Sequence, residues 1–145
     1  MEELQWHIII FNLTHLGIAY LLALPIAFDR RGASPGAGLR TFPLVALAAC
    51  GYTLLGISVL DSTDAEARVL QGIITGIGFI GGGAILKNKN STIGTATAAS
   101  IWNTGLIGMA VAFDRFEIAI LMSLINFLTL RYIKGHRKDS CENGQ

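Results

Sequence analysis

Between Val69 and Leu86 the sequence reads VLQGIITGIGFIGGGAIL, eighteen residues with six glycines and no charge. A run of that length can cross the hydrocarbon core of a bilayer. It holds too much glycine to persist as an isolated helix in water. Small residues at this density let neighbouring membrane helices approach the backbone. The run therefore predicts a membrane-spanning helix set inside a packed bundle. The whole chain agrees, with 52% hydrophobic and only 14% charged residues among 145. That leaves room for one bundle and no sizeable soluble domain.

Five apolar segments are legible: Trp6 to Phe28, Phe42 to Leu60, Val69 to Leu86, Ala96 to Phe113 and Ile118 to Ile133. Charges fall almost entirely between them. Assigned to alternate sides, the connections and termini put nine Lys/Arg on one side and two on the other. The positive-inside bias then places the N-terminus outside and the C-terminus in the cytoplasm. The expected fold is an all-α bundle of five transmembrane helices. Residues 1–134 make the membrane domain and 135–145 a short polar cytoplasmic tail. The flank of the first segment is acidic and its end runs straight into Asp29-Arg30-Arg31, so it reads as a retained helix rather than a signal peptide. The net charge of +1 gives no footing for nucleic acid.

The connections carry local signals. The stretch from Arg31 to Gly38 is a Gly/Pro/Ser loop, and Asn88 to Gly94 is a second polar loop. Ser91, Thr92 or Thr95 supplies the cap of the fourth helix. Pro25 kinks or ends the first. Cys50 lies mid-span and Cys141 in the tail, too far apart in depth for a disulfide, and Cys50 reads as a small buried packing residue.

At about 100° per residue, Gly72, Gly76 and Gly83 share one side of the third helix, and Thr75, Gly78 and Gly82 form a second stripe. These stripes fit close packing against more than one neighbour. They also fit a helix broken at Gly81-Gly82-Gly83, with free backbone lining an ion or substrate site. On the fourth helix Thr97, Ser100, Thr104 and Gly108 share a face with Asn103 at its edge, while Trp102 points elsewhere. Hydroxyls there either bond a neighbouring helix or line a polar pathway between the third and fourth helices. On the first helix Asn12, His15, Ala19 and Ala23 share a face, and His15 is the one ionisable side chain deep within a span. It either bonds a neighbour as a neutral ring or handles protons or a metal, though a single His lacks the ligand cluster a metal site needs. Ser123 and Asn126 on the fifth helix read as interhelical bonds.

No carboxylate pair falls within a span, and no metal-ligand cluster, nucleophile–base pair or phosphate-binding loop is evident. The acidic cluster Asp61, Asp64 and Glu66 reads as a solvated outer loop. No cofactor, metal site or catalytic residue is expected. Partners are the lipid bilayer, another membrane protein and, from the small-residue faces, a second copy of the chain.

Three motifs in order resemble those of the MgtC/SapB family. Ala37-Gly38-Leu39-Arg40-Thr41 opens the second span. Arg68-Val69-Leu70-Gln71 precedes Gly76-Ile77-Gly78-Phe79-Ile80-Gly81-Gly82-Gly83. Gly94-Thr95-Ala96-Thr97-Ala98-Ala99-Ser100-Ile101-Trp102 starts the fourth helix. The resemblance runs from about Leu16 to Leu130. Asp29-Arg30 stands where the family has Glu-Arg, whereas Ile93 and Ala96 stand where it often has polar residues. The length resembles the short SapB-like or YhiD-like members without a soluble C-terminal domain.

The resemblance implies a bacterial inner-membrane protein linked to magnesium limitation or acid stress, one that regulates other membrane proteins such as ATP synthase. Two readings follow: a non-enzymatic modulator that packs against a partner, and a small oligomeric pathway for Mg2+ or protons. Asp29, Arg30, Arg40 and Thr41 form the cytoplasmic family motif. Its charges are expected to make an internal ion pair or network, with lipid phosphate as the other role for Arg40.

Overall fold

The structure is a computed structural model and describes residues 2–30, 38–88 and 91–133. Five helices follow one another: α1 (Glu2–Asp29), α2 (Thr41–Val59), α3 (Thr63–Gly83), α4 (Thr95–Ala112) and α5 (Phe116–Tyr132). A short antiparallel hairpin, β1 (Leu86–Asn88) with β2 (Ser91–Ile93), joins α3 to α4, so the fold is all-α with one small addition. The polar loop read at Asn88 to Gly94 is this hairpin. The loop from residue 31 to 37 and the tail from residue 134, Cys141 included, lie outside the described residues.

Helix α4 is the hub and packs on each of the other four helices. Its glycines make that possible. A Cβ on Gly108 would collide with the Ala46 carbonyl of α2, and one on Gly105 with the Ile77 side chain of α3. Ile101, Ile107 and Val111 are completely or almost completely buried around them. On α1 the core face is Ala19, Ala23, Ile26 and Ala27, all at 0% exposure, and small side chains there draw α2 and α4 in. Helix α1 also runs straight through Pro25 to Asp29, so the proline does not end it. Proline has no N–H to give the preceding turn. Close by, the Leu22 carbonyl accepts a hydrogen bond from the Ser123 hydroxyl of α5 at 2.6 Å. That bond fastens α5 to the turn before the proline, whereas the carbonyl that Pro25 leaves without a helical donor is that of Leu21.

Three expectations are corrected here. Helix α3 starts at Thr63, because the Ser62 side chain accepts from the Ala65 N–H and caps a first turn that holds Asp64 and Glu66. It also stops at Gly83 instead of reaching Leu86, which lies in β1. Gly81-Gly82-Gly83 is therefore the helix end, not an unwound break within it. Neither Ser91 nor Thr92 nor Thr95 caps α4. That position belongs to Gly94, with φ +93°, where an added Cβ would collide with the Ala84 carbonyl. A left-handed conformation against a close backbone is a glycine requirement.

The outer surface of the bundle is apolar. Trp6, Ile8, Ile9, Ile10 and Leu13 on α1, Leu44 and Leu55 on α2, and Ile120, Leu121 and Leu124 on α5 are all at least half exposed. Water does not tolerate such continuous apolar cover, and lipid does. Helices α1 and α2 are each long and apolar enough to cross a membrane unaided.

Candidate functional site

Helix α3 sits at the edge of the bundle, not inside it. Of its residues only Ile77 and Gly81 are buried. Gly81 touches its neighbour through the Ala98 carbonyl of α4, 3.1 Å from where a Cβ would be. The glycines singled out from the sequence behave differently. Gly72, Gly76, Gly78, Gly82 and Gly83 are exposed, and a Cβ on any of them would meet nothing within 4 Å. The close packing within this chain is made by Gly56, Gly81, Gly105 and Gly108 instead. What remains is an open seam of bare backbone, with Phe79 projecting beside it at 86% exposure. Between α2 and α3 this seam borders an apolar groove of about 400 Å³, walled by Ala48, Ala49, Tyr52, Gly72 and Gly76.

The hydroxyl face of α4 points another way. Thr97, Ser100 and Thr104 are buried, whereas Asn103 is only partly covered and Trp102 is 52% exposed. The Ser100 hydroxyl donates to the Ala96 carbonyl at 2.8 Å and that of Thr104 to the Ser100 carbonyl at 2.7 Å. Ser100 also meets the Asn126 side chain of α5 at 3.2 Å. A hydroxyl has one proton, and the Ala96 carbonyl takes it. The longer contact is then best made with the amide reversed, its NH2 donating to Ser100, which also gives a partner to a nitrogen otherwise buried without one. Helix α4 faces α3 with Ala98 and Gly105, so its hydroxyls do not line a path between those two helices.

His15 is buried at 5% exposure and bonded at both ring nitrogens. Nδ1 lies 2.8 Å from the Phe11 carbonyl and Nε2 lies 2.9 Å from Oδ1 of Asp114. The Phe11 ring stacks at 4.0 Å and that of Phe116 at 5.7 Å. Asp114 is the partner that sequence reasoning missed. The turn it occupies closes α4 in a Schellman pattern: Arg115 N–H bonds the Ala110 carbonyl and Asp114 N–H bonds the Val111 carbonyl. Asp114 takes the left-handed position at φ 58°, where glycine is usual. Aspartate tolerates that conformation better than most residues, and here its carboxylate reaches α1. The turn and the facing walls of α1 and α2 enclose a vestibule of about 600 Å³, lined by Asn12, Leu54, Ser58, Phe113 and Asp114 among others.

At the opposite end, Asp29 and Arg30 approach at 3.8 Å with both side chains largely covered. Arg40 is exposed and joins no ion pair among the described residues, where the expected network is the Asp29–Arg30 pair without it. Thr41 N–H bonds the Gly38 carbonyl at 3.0 Å and starts α2. Among the described residues no group of three or more His, Cys, Asp or Glu is placed to hold a metal ion.

The MgtC family model matches residues 16–138. This chain belongs to the MgtC family. The family is one of membrane proteins, in keeping with the apolar exterior. The chain is 32% identical over 112 residues to YhiD of Escherichia coli (strain K12), whose name proposes magnesium transport; the match covers 72% of this chain and 52% of YhiD. It is 29% identical over 138 residues to SapB of Bacillus subtilis (strain 168), covering 90% of this chain and 60% of SapB. It is 35% identical over 107 residues to MgtC of Salmonella typhimurium (strain LT2), covering 74% of this chain and 46% of MgtC. The chain thus spans about half the length of the curated relatives it matches. No solved structure matches it. None of these three relatives carries an enzyme's name.

Proposed function

We propose that this chain is a multi-pass protein of the bacterial inner membrane that modulates another membrane protein by helix packing, without catalysis. All five helices span the bilayer in this reading, with the N-terminus outside and the C-terminus in the cytoplasm. The observation that carries it is the unoccupied glycine seam of α3. Helices associate in lipid where small residues let backbones meet, and this chain uses Gly56, Gly81, Gly105 and Gly108 for that purpose while leaving Gly72, Gly76, Gly78, Gly82 and Gly83 of α3 bare. A family tie to magnesium limitation or acid stress supplies the setting in which such a partner would be regulated.

The test is substitution at the seam. Gly76→Leu and Gly82→Leu point into open space, so both variants should insert and unfold as the parent does. Partner recovery from solubilised native membranes should drop by at least tenfold. Unchanged recovery in both variants would contradict the proposal. Mg2+ or proton flux through the purified protein in liposomes, above empty liposomes, would favour the oligomeric transport reading instead.

A further inference from the structure

We propose that the groove between α3 and α5 holds a phospholipid whose head group carries both a phosphate and a primary ammonium, with an acyl chain in the groove and the head group on Arg115 and Glu117. This site rests on the reading of the bundle as membrane-spanning, and it uses none of the α3 glycine seam. Helices α3 and α5 each pack on α4 and stand on either side of it. Leu70 and Ile74 of α3 form one wall, Ile118 of α5 the other, and Leu106 and Ala110 of α4 the floor. The space amounts to about 530 Å³. It follows α4 from Leu106 to Phe113, a rise of about 10 Å along the helix. Gly72 and Gly76 wall the other groove, against α2, so the two surfaces lie on different sides of α3.

The apolar walls suit a hydrocarbon chain, and the charges at the end of the groove select its head group. Arg115 lines that end. Its side chain is 68% exposed and stands 3.6 Å from that of Glu117, which is 60% exposed. A close ionic hydrogen bond spans only about 2.7–2.9 Å, and a pair this exposed holds its members weakly. Both groups therefore keep capacity for a ligand. A guanidinium matches the geometry of a phosphate, and a carboxylate accepts from an ammonium. A head group that joins phosphate to ammonium by a short link needs such a cation and anion side by side. A head group with the phosphate alone gains Arg115 but is repelled by Glu117.

The other charges at this end of the bundle also favour the ammonium. Glu66, one turn before Leu70 on α3, is half-buried and lines a small cleft with Leu70 and Phe113, two side chains that also border the groove. Asp114, on the same turn as Arg115, faces His15 of α1 at 2.9 Å. Asp61, Asp64 and Arg68 are exposed. A purely anionic head group would thus meet more carboxylate than guanidinium. The other two apolar spaces lack the combination. The α2–α3 groove has no charged residue in its wall, and the vestibule has the Asp114 carboxylate without a cation.

The experiment is native mass spectrometry of the full chain, released from detergent micelles after incubation with an equimolar mixture of dioleoyl phosphatidylethanolamine and dioleoyl phosphatidylglycerol. The parent should retain the ethanolamine lipid over the glycerol lipid by about fivefold, the size of one surface charge contact. Arg115→Gln should reduce retention of the ethanolamine lipid by a similar factor. Arg115 makes no side-chain cap bond to α5, so that variant keeps the helix start. Glu117→Gln should abolish the preference between the two lipids. Ile74→Trp, at an exposed position of the wall, should cut retention of both. Equal retention of the two lipids by the parent, or unchanged retention in Arg115→Gln, would overturn the site. If a charge variant does not fold, Ile74→Trp decides: full retention with the groove filled would refute it. Insertion into membranes without any lipid preference would remove this site and leave the membrane-spanning bundle standing, whereas recovery of the chain from the soluble fraction would remove both.

Discussion

Gly72 and Gly108 are the same residue type in opposite surroundings. Gly108→Ala forces a methyl into the Ala46 carbonyl of α2, whereas Gly72→Ala points into open space. The first substitution should cost about 1–3 kcal/mol as an overpacked core. The second should be neutral or stabilise by up to about 1 kcal/mol through helix propensity. Chemical unfolding in detergent micelles followed by circular dichroism checks both. Arg40→Glu should leave unfolding within about 0.5 kcal/mol of the parent, because Arg40 is exposed and makes no ion pair among the described residues. A larger loss would restore Arg40 to the Asp29–Arg30 pair. The sequence reveals that His15 needs a partner but not which one. Asp114 lies 99 residues further along the chain, and only the folded turn brings its carboxylate to α1. What was legible there was an unusual charged turn between two apolar runs.

Among the elements, α2 follows its apolar run almost residue for residue, since charges and Gly38 flank one end and Asp61 the other. Helix α3 does not, because its capped acidic first turn is helical without being apolar. Glycine density correctly signals close backbone approach but not which glycine is approached. That is decided by what lies opposite, and in this bundle α4 supplies Gly105 and Gly108 while α3 supplies only Gly81. The hairpin between α3 and α4 has three residues per strand and no strand-like alternation, so a loop was the natural expectation. Its joint with α4 makes its own prediction. Gly94→Ala must adopt φ +93° against the Ala84 carbonyl, and should cost more than about 1 kcal/mol. Hydrogen exchange should show the loss first at the hairpin and the start of α4. Protection there equal to the parent's would contradict the assignment of Gly94 as an obligatory joint.

For the whole molecule, the polypeptide reads as a bundle bathed in lipid whose hub is α4 and whose α3 carries a stripe of bare glycine backbone. Cysteine labelling from either side of intact cells tests the arrangement of spans. With Cys50 and Cys141 both replaced by serine, a single cysteine at Ser62 should react from outside and one at Lys87 only after the membrane is opened. The reverse pattern would invert the topology. The central claim is that the bare face meets another membrane protein, and site-specific photo-cross-linking in native membranes tests it most directly. A photoreactive residue at Phe79, beside Gly78 and Gly82, should yield a discrete protein adduct that is absent when the probe sits at exposed Trp102 and is lost when Gly76→Leu is added. Adducts with lipid alone, or with nothing but further copies of this chain, would contradict it.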